Sequence, residues 1–367
     1  MDRGVDQGLL SSLGAVAVAG VGVRSALGPS ARSTFDAMRG GIGRLNECSF
    51  LRHPRTGEPI TVALDAGLDP RALVLSRLEI LAAAAASEAL GARPLSPLSQ
   101  GARLGVLLSM APDRPGMDGR ARRSAAQAIV GHVETLVPVD RAHCRALGTG
   151  HDGGIAALVQ GVGWLNAGAV DACLVGGVES CVDLAFLDGL AVQGRLKAED
   201  CPFGLTPGEA AAFLLLVPAR PVPVGRTGCA YLASPSWAAE PHPWYSHRPS
   251  LAEGLTTAIA GVFASPPARD MRADVTYADL NGEPWRADEW SAAYIRTADN
   301  HGEPMHMRHP ADCWGDVGAA SAPLLACMAA LEVVHPRMRS RAALVWTASD
   351  AGVGRGAVMV LGEKGAC

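Results

Sequence analysis

Gly168–Ser180, GAVDACLVGGVES, is the stretch on which the reading of this chain turns. Asp171–Val175 (DACLV) is a short apolar run without polar alternation, the pattern of a strand buried on both faces, and it ends on Gly176-Gly177. Just upstream, Gly153–Asn166 reads as a helix that stops at Ala167-Gly168. Just downstream, Glu209–Val217 (EAAAFLLLV) reads as a second buried strand, entered from a Pro/Gly turn.

The same alternation extends in both directions. Toward the N-terminus lie a strand at Ala15–Val21 and a short helix that Ser30 can cap, carrying Phe35 and Met38. A long helix over Arg71–Leu90 and a strand over Arg103–Ser109 follow. The Pro-rich Pro218–Val224 then breaks the pattern, and Pro235–Pro249 reads as a Pro/aromatic loop. Beyond it come a helix (Leu251–Phe263), a strand (Val275–Leu280) and a helix (Ala319–Val334). Strands at Ala342–Thr347 and Ala357–Leu361 flank the glycine turn Gly352–Gly356. Strands alternating with helices predict βαβ units and a largely parallel sheet. Two α/β halves follow, 1–220 and 221–367, in one pseudo-symmetric unit.

Composition agrees. The chain has 367 residues, 49% of them apolar and 19% charged, which excludes disorder. Its formal charge of −4 argues against a nucleic-acid partner, and the run Arg120–Arg123 reads as a solvated helix start. The nine cysteines form no CxxC pair, so neither a zinc site nor a redox motif is expected. A reducing, cytoplasmic setting is expected, with no secretory leader in MDRGVDQGLL and no membrane span. No cofactor is implied, because Gly20, Gly22 and Gly28 do not fit the dinucleotide fingerprint. His301, His306 and His309 read as loop histidines rather than metal ligands.

Five segments, taken in order, resemble the β-ketoacyl synthase branch of the thiolase superfamily. They are Ala19–Leu45, Gly168–Ser180, Pro202-Phe203 with Gly208–Ala211, Gly315–Ala322 (GDVGAASA) and the terminal glycine turn. The resemblance implies a duplicated α/β fold in an α-β-α-β-α layering. It also implies acyl-thioester condensation by a Cys nucleophile at a helix N-terminus, assisted by two histidines.

Those positions hold other residues here. Counting back about 26 residues from Gly177 to the family's nucleophile lands on His151, a poor substitute for a thiolate. Cys144 lies seven residues too early, and only a shifted loop would bring it to the turn. Asn281 takes the first histidine's place, after the strand Val275–Leu280. Gly315, or Asp316 with one deletion, takes the second, where a carboxylate would repel an enolate. Asp279, Glu283, Asp288 and Glu289 gather around Arg286 in DLNGEPWRADEW and read as an ion-pair network seating Trp285 and Trp290. A new site built from His151, Asn281, Asp316 and Glu283 is the alternative.

The resemblance thus implies a catalytically inactive ketosynthase-like protein that acts by binding. DLNGEPWRADEW with CWGDVGAAS resembles a thiolase-like subgroup found beside type VI secretion effectors, which implies an adaptor or chaperone for an effector. One alternative is a non-catalytic, chain-length-factor-like partner of an active ketosynthase. Another is a residual acyl-thioester enzyme using His151 or Cys144. A homodimer is expected by family analogy, through the strand that follows the nucleophile helix.

Overall fold

The glycine-pair strand lies inside the sheet as β6 (Ala172–Ser180), buried at every residue. The computed structural model describes residues 15–91, 101–219, 229–246, 248–264 and 266–362. The first half holds β1 (Val16–Ser25), α1 (Ala31–Arg39), β2 (Asn46–Arg52), β3 (Pro59–Val62), α2 (Val74–Gly91), β4 (Leu104–Ser109), α3 (Gly119–Leu136), β5 (Cys144–Leu147), α4 (Gly153–Asn166), β6, α5 (Leu184–Val192) and β7 (Glu209–Pro218). The second holds β8 (Ala230–Ala239), α6 (Glu253–Ala264), β9 (Val275–Ala278), α7 (Pro284–Thr297), β10 (Met307–Arg308), α8 (Ala311–Trp314), α9 (Ser321–Val334), β11 (Ala342–Ala348) and β12 (Gly354–Gly362).

Ten strands join in the order β10-β9-β11-β12-β8-β1-β7-β6-β4-β5, and β2 pairs with β3 apart from them. Outward from the β1–β8 junction, the two halves repeat one another strand for strand. The junction itself is short, Val16–Val18 against Ala230–Leu232. Of the break proposed between the halves, Pro218–Val224, Pro218 closes β7 and residues 220–224 lie outside the described residues.

Each half is mixed rather than largely parallel. β4, β5 and β6 are parallel, but β7 runs antiparallel to both β6 and β1. The second half does the same with β9, β10, β11 and β12. The connection from β6, through α5, stays at the end of the sheet that β6 leaves, so β7 has to run back. Two other expectations change. Pro235-Ser236-Trp237 belongs to β8 rather than a loop, and Pro235 sits where the register with β12 slips, which spares its missing N–H. The strand after the nucleophile-position helix, expected to make a dimer contact, is β6; it is paired on both sides, and the free edge of that half is β5.

Side chains sort by strand parity into three apolar layers. Ala210, Ala212, Leu214 and Leu216 of β7 face the central layer with Val345, Val358 and Val360. Ala211, Phe213 and Leu215 face the outer helices α2 and α3. Leu344, Trp346 and Met359 face α6 and α7 on the other side. The central layer is filled by α4 and α9, so the α-β-α-β-α order follows directly from period-two alternation.

Two glycines set how closely the centre packs. A Cβ on Gly154 of α4 would lie 2.4 Å from Pro323 Cδ of α9. A Cβ on Gly177 would lie 2.3 Å from the Ala319 carbonyl oxygen. The N-terminal ends of the two central helices therefore meet each other and β6.

Candidate functional site

Both central helices start from a single 3₁₀ turn, Gly150–Asp152 before α4 and Gly318–Ala320 before α9. The two turns touch, and each delivers one ionisable side chain to the contact. His151 comes from the first. Asp316 comes from just before the second, after Gly315 at φ 74°. Both are buried.

From this contact a closed ring of polar side chains can be traced. His151 Nε2 donates to Asp316 Oδ1 and Oδ2 at 3.0 and 3.1 Å. Asn281 Nδ2 donates to Asp316 Oδ2 at 2.5 Å and to Glu283 Oε2 at 3.1 Å. Arg195 holds Glu283 in a fork, Nε to Oε1 at 2.6 Å and Nη2 to Oε2 at 3.0 Å. Arg195 Nη2 also donates to Asp350 Oδ2 at 2.9 Å. Asp350 Oδ1 then lies 3.4 Å from His151 Nδ1, an ion-pair contact whose geometry falls short of a hydrogen bond. The Gly318 N–H donates to Asp316 Oδ1 at 2.9 Å.

Charge decides the state of this ring. Burial is the largest single influence and opposes the charged imidazole of His151, but the Asp316 carboxylate and, more weakly, Asp279 together raise the pKa well above the ordinary histidine value. Burial likewise opposes ionised Asp316 and Asp350, but His151 beside each holds both below the usual carboxylate range. Underneath, Arg286 Nη1 donates to Asp279 Oδ2 at 2.8 Å and to the Ala348 carbonyl at 2.7 Å. With His151 protonated, three cations face the four carboxylates Asp279, Glu283, Asp316 and Asp350.

The solvent side is covered by aromatic rings. Trp244 stacks on Trp285 at 6.1 Å, and the Arg195 guanidinium carbon sits 4.9 Å from the Trp244 ring centre. Trp244 Nε1 donates to the Asp350 carbonyl at 2.9 Å. The Pro/aromatic segment thus caps this region through Trp244. A cavity beside Asn281 and Asp316, lined also by Trp314 and Leu325, measures about 10 Å³. That is the room of one water.

The structure therefore brings together His151, Asn281, Glu283 and Asp316. It leaves Cys144 outside. Cys144 belongs to β5, paired in register with Val106 of β4, and its thiol donates to the Asp140 carbonyl at 3.4 Å. That ladder prevents any loop shift toward the turn, and burial raises the thiol's pKa. Arg286 keeps Asp279 and Glu283 as neighbours, whereas Glu289 pairs with Arg355 and Asp288 points to solvent. Trp290 stacks on Trp346 at 5.2 Å. His301 is buried against Trp290 and Thr276, and burial lowers its pKa to about 4. Among the described residues no group of His, Cys, Asp and Glu is arranged to hold a metal ion.

Three site residues escape sequence reasoning. Arg195 lies in the shortened connection between α5 and β7, and Asp350 lies in the terminal glycine turn. Cys181 is a fully buried thiol near Glu179 and Asp316; burial first, then Glu179, raises its pKa well above the thiol range and keeps it neutral.

The chemistry available here is limited. With His151 protonated, the state that its raised pKa favours, neither ring nitrogen carries a lone pair with which to attack or to accept a proton. Ionised Asp316 would repel an enolate or oxyanion formed beside it.

No protein-family model and no curated protein matches this sequence. Solved structures do. One is a type II polyketide ketosynthase with its acyl-carrier protein and a bound hexaketide; it is 16% identical, covers 95% of this chain and 98% of that chain, and has a TM-score of 0.74. The ishigamide ketosynthase/chain length factor is 19% identical over 96% of this chain and 99% of that one, also with a TM-score of 0.74. A ketosynthase with its chain length factor from Xenorhabdus doucetiae is 16% identical over 95% of this chain and 98% of that one, with a TM-score of 0.66. The fold is therefore the thiolase-like fold of ketosynthases. No helix among the described residues is long and apolar enough to cross a membrane.

Proposed function

We propose that this chain is a ketosynthase-fold subunit that does not condense, and that it serves as the chain-length-factor-like partner of an active ketosynthase. One observation carries the reading: the closed ring His151–Asp316–Asn281–Glu283–Arg195–Asp350 at the N-terminal ends of the two central helices. In this reading His151, Asn281 and Asp316 occupy the positions of the family's cysteine and two histidines. They changed as a set, because each replacement supplies the partner that another needs. A reaction centre has become a structural joint.

Similarity to ketosynthase/chain-length-factor pairs supports a protein partner of that class over a secretion effector. The small cavity at Asn281 and Asp316 supports a role that needs no acyl chain seated there.

Co-purification of the full chain from its native host, followed by native mass spectrometry, tests the partner. The expected result is a one-to-one complex with a Cys-bearing ketosynthase. Capture of a secretion effector instead would replace this reading with the adaptor one. Incubation of the chain alone with acyl- and malonyl-carrier protein tests the chemistry. Condensation that disappears in His151→Ala or Cys144→Ala would overturn the proposal.

A further inference from the structure

We infer that Asn281-Gly282 is a self-modification site held in check by the polar ring: when the ring opens, Asn281 converts to aspartate or isoaspartate, and the ring cannot close again. The inference rests on the geometry of the ring and not on the function proposed above.

The sequence holds four asparagines, and one of them, Asn281, precedes a glycine. Asn46, Asn166 and Asn300 precede Glu47, Ala167 and His301. In an Asn-Gly pair the backbone nitrogen of the glycine can attack the asparagine side-chain carbonyl carbon, Cγ. A bond forms between that nitrogen and Cγ, the Cγ–Nδ2 bond breaks, and ammonia leaves with the proton of the backbone N–H. Water then opens the five-membered imide at either of its two carbonyls, which yields aspartate or isoaspartate. No other reactant is needed. Glycine favours the attack because it has no Cβ in the way and its backbone turns freely.

Here the two reacting groups are in opposite states. The nucleophile is free. Gly282 is exposed, sits at φ 103°, and its N–H takes no part in the hydrogen bonds that hold this turn. The electrophile is clamped. Asn281 Oδ1 accepts from the Glu283 N–H at 3.1 Å. Its Nδ2, the leaving nitrogen, donates to Asp316 Oδ2 at 2.5 Å and to Glu283 Oε2 at 3.1 Å. Ammonia cannot depart until Nδ2 lets go of both carboxylates. Those carboxylates are themselves tied, Asp316 by His151 and the Gly318 N–H, and Glu283 by the Arg195 fork. The whole ring therefore protects the amide. Reaction waits for local opening, and its rate follows the fraction of chains that are open.

The step runs one way. An aspartate at 281 would present an oxygen where Nδ2 now donates, against Asp316 Oδ2 and Glu283 Oε2. Three carboxylates would then crowd one partly buried site, disfavoured by repulsion and by desolvation. Isoaspartate adds a methylene to the main chain just before Glu283 and moves that carboxylate away from Arg195. A single opening is thus recorded in the covalent structure.

Peptide mapping by mass spectrometry of the full chain, aged in neutral buffer, tests the site. Conversion at Asn281 is expected to be at least about tenfold slower in the native chain than in the chain unfolded in guanidinium chloride. Asp316→Ala, which opens the ring, is expected to remove most of that difference at Asn281 while Asn300 keeps its wild-type rate. Equal conversion of Asn281 in native and unfolded wild type would overturn the inference. So would a folded Asp316→Ala chain that converts no faster than wild type. If Asp316→Ala does not fold, the native-against-unfolded comparison in wild type still decides. Urea midpoints test the product. Asn281→Asp is expected to unfold at lower urea than Asn281→Ala, because the first adds a charge where the second only removes hydrogen bonds. A midpoint for Asn281→Asp at or above that of Asn281→Ala would show that the product re-enters the ring, and would defeat the one-way step.

Discussion

The entries to α4 and α9 are one structural device used twice. Each is a 3₁₀ turn running into the N-terminus of a central helix, and the two meet across the middle of the fold. Yet one delivers a buried histidine and the other a buried aspartate. The repeated backbone does not force repeated chemistry. It supplies two adjoining positions, and what they become depends on whether their side chains suit each other. Here they have opposite charge, and so they bond to one another.

The most severe way to break that relationship is to make the two sides alike. His151→Asp would crowd three carboxylates, at 151, 316 and 350, into a buried space now neutralised by imidazolium. The expected loss is more than about 5 kcal/mol, read as loss of a cooperative urea transition. Adding Asp316→His to that variant exchanges the charges and is expected to recover about 1–3 kcal/mol, measured as a double-mutant cycle.

Removing one side is next. Asp316→Ala leaves His151 Nε2, the Gly318 N–H and one of the two Asn281 amide donations without an acceptor. Chemical denaturation is expected to report about 3–5 kcal/mol lost. A loss below 1 kcal/mol would show that the ring contributes little to holding the halves.

Proton linkage gives a smaller, directional effect. The His151 pKa is raised in the folded state, so its contribution is complete below about 6.5, the ordinary histidine value, and is lost as pH rises through the folded value. Asp316 and Asp350 are lowered, so their contribution is complete above about 3.8 and is lost as pH falls through their folded values. Buried Asp279, Asp152 and Glu179 are raised and oppose this, favouring the folded state less as pH climbs past their ordinary values. The discriminating measurement is the stability difference between wild type and His151→Gln across pH. It is expected to shrink on the alkaline side, and a pH-independent difference would contradict a protonated His151.

The mildest test lifts the cover. Trp244→Ala removes the indole over Arg195 and one hydrogen bond to the Asp350 carbonyl. About 1–2 kcal/mol is expected, with faster hydrogen exchange in the turn holding Asp350.

Much of this protein was legible before any coordinates. The helix Gly153–Asn166 stands where its glycine stops placed it, and the buried strands stand where the apolar runs lie. Helix stops and apolar runs act over a few residues, so a linear reading finds them. Counting along the motifs also singled out His151, Asn281, Glu283 and Asp316 as neighbours of one pocket. What the sequence could not assign was who bonds to whom. Arg195 reaches Glu283 across 88 residues and Asp350 across 155, and His151 reaches Asp316 across 165. No local pattern marks such a pair, because an ion pair depends on distance in space and on exclusion of water. Sheet direction escaped for the same reason, being set by the end of the sheet to which a connection returns. Local propensity and periodicity determined the elements. The tertiary packing, by bringing two helix N-termini together in a dry interior, decided that a histidine and an aspartate there would neutralise each other.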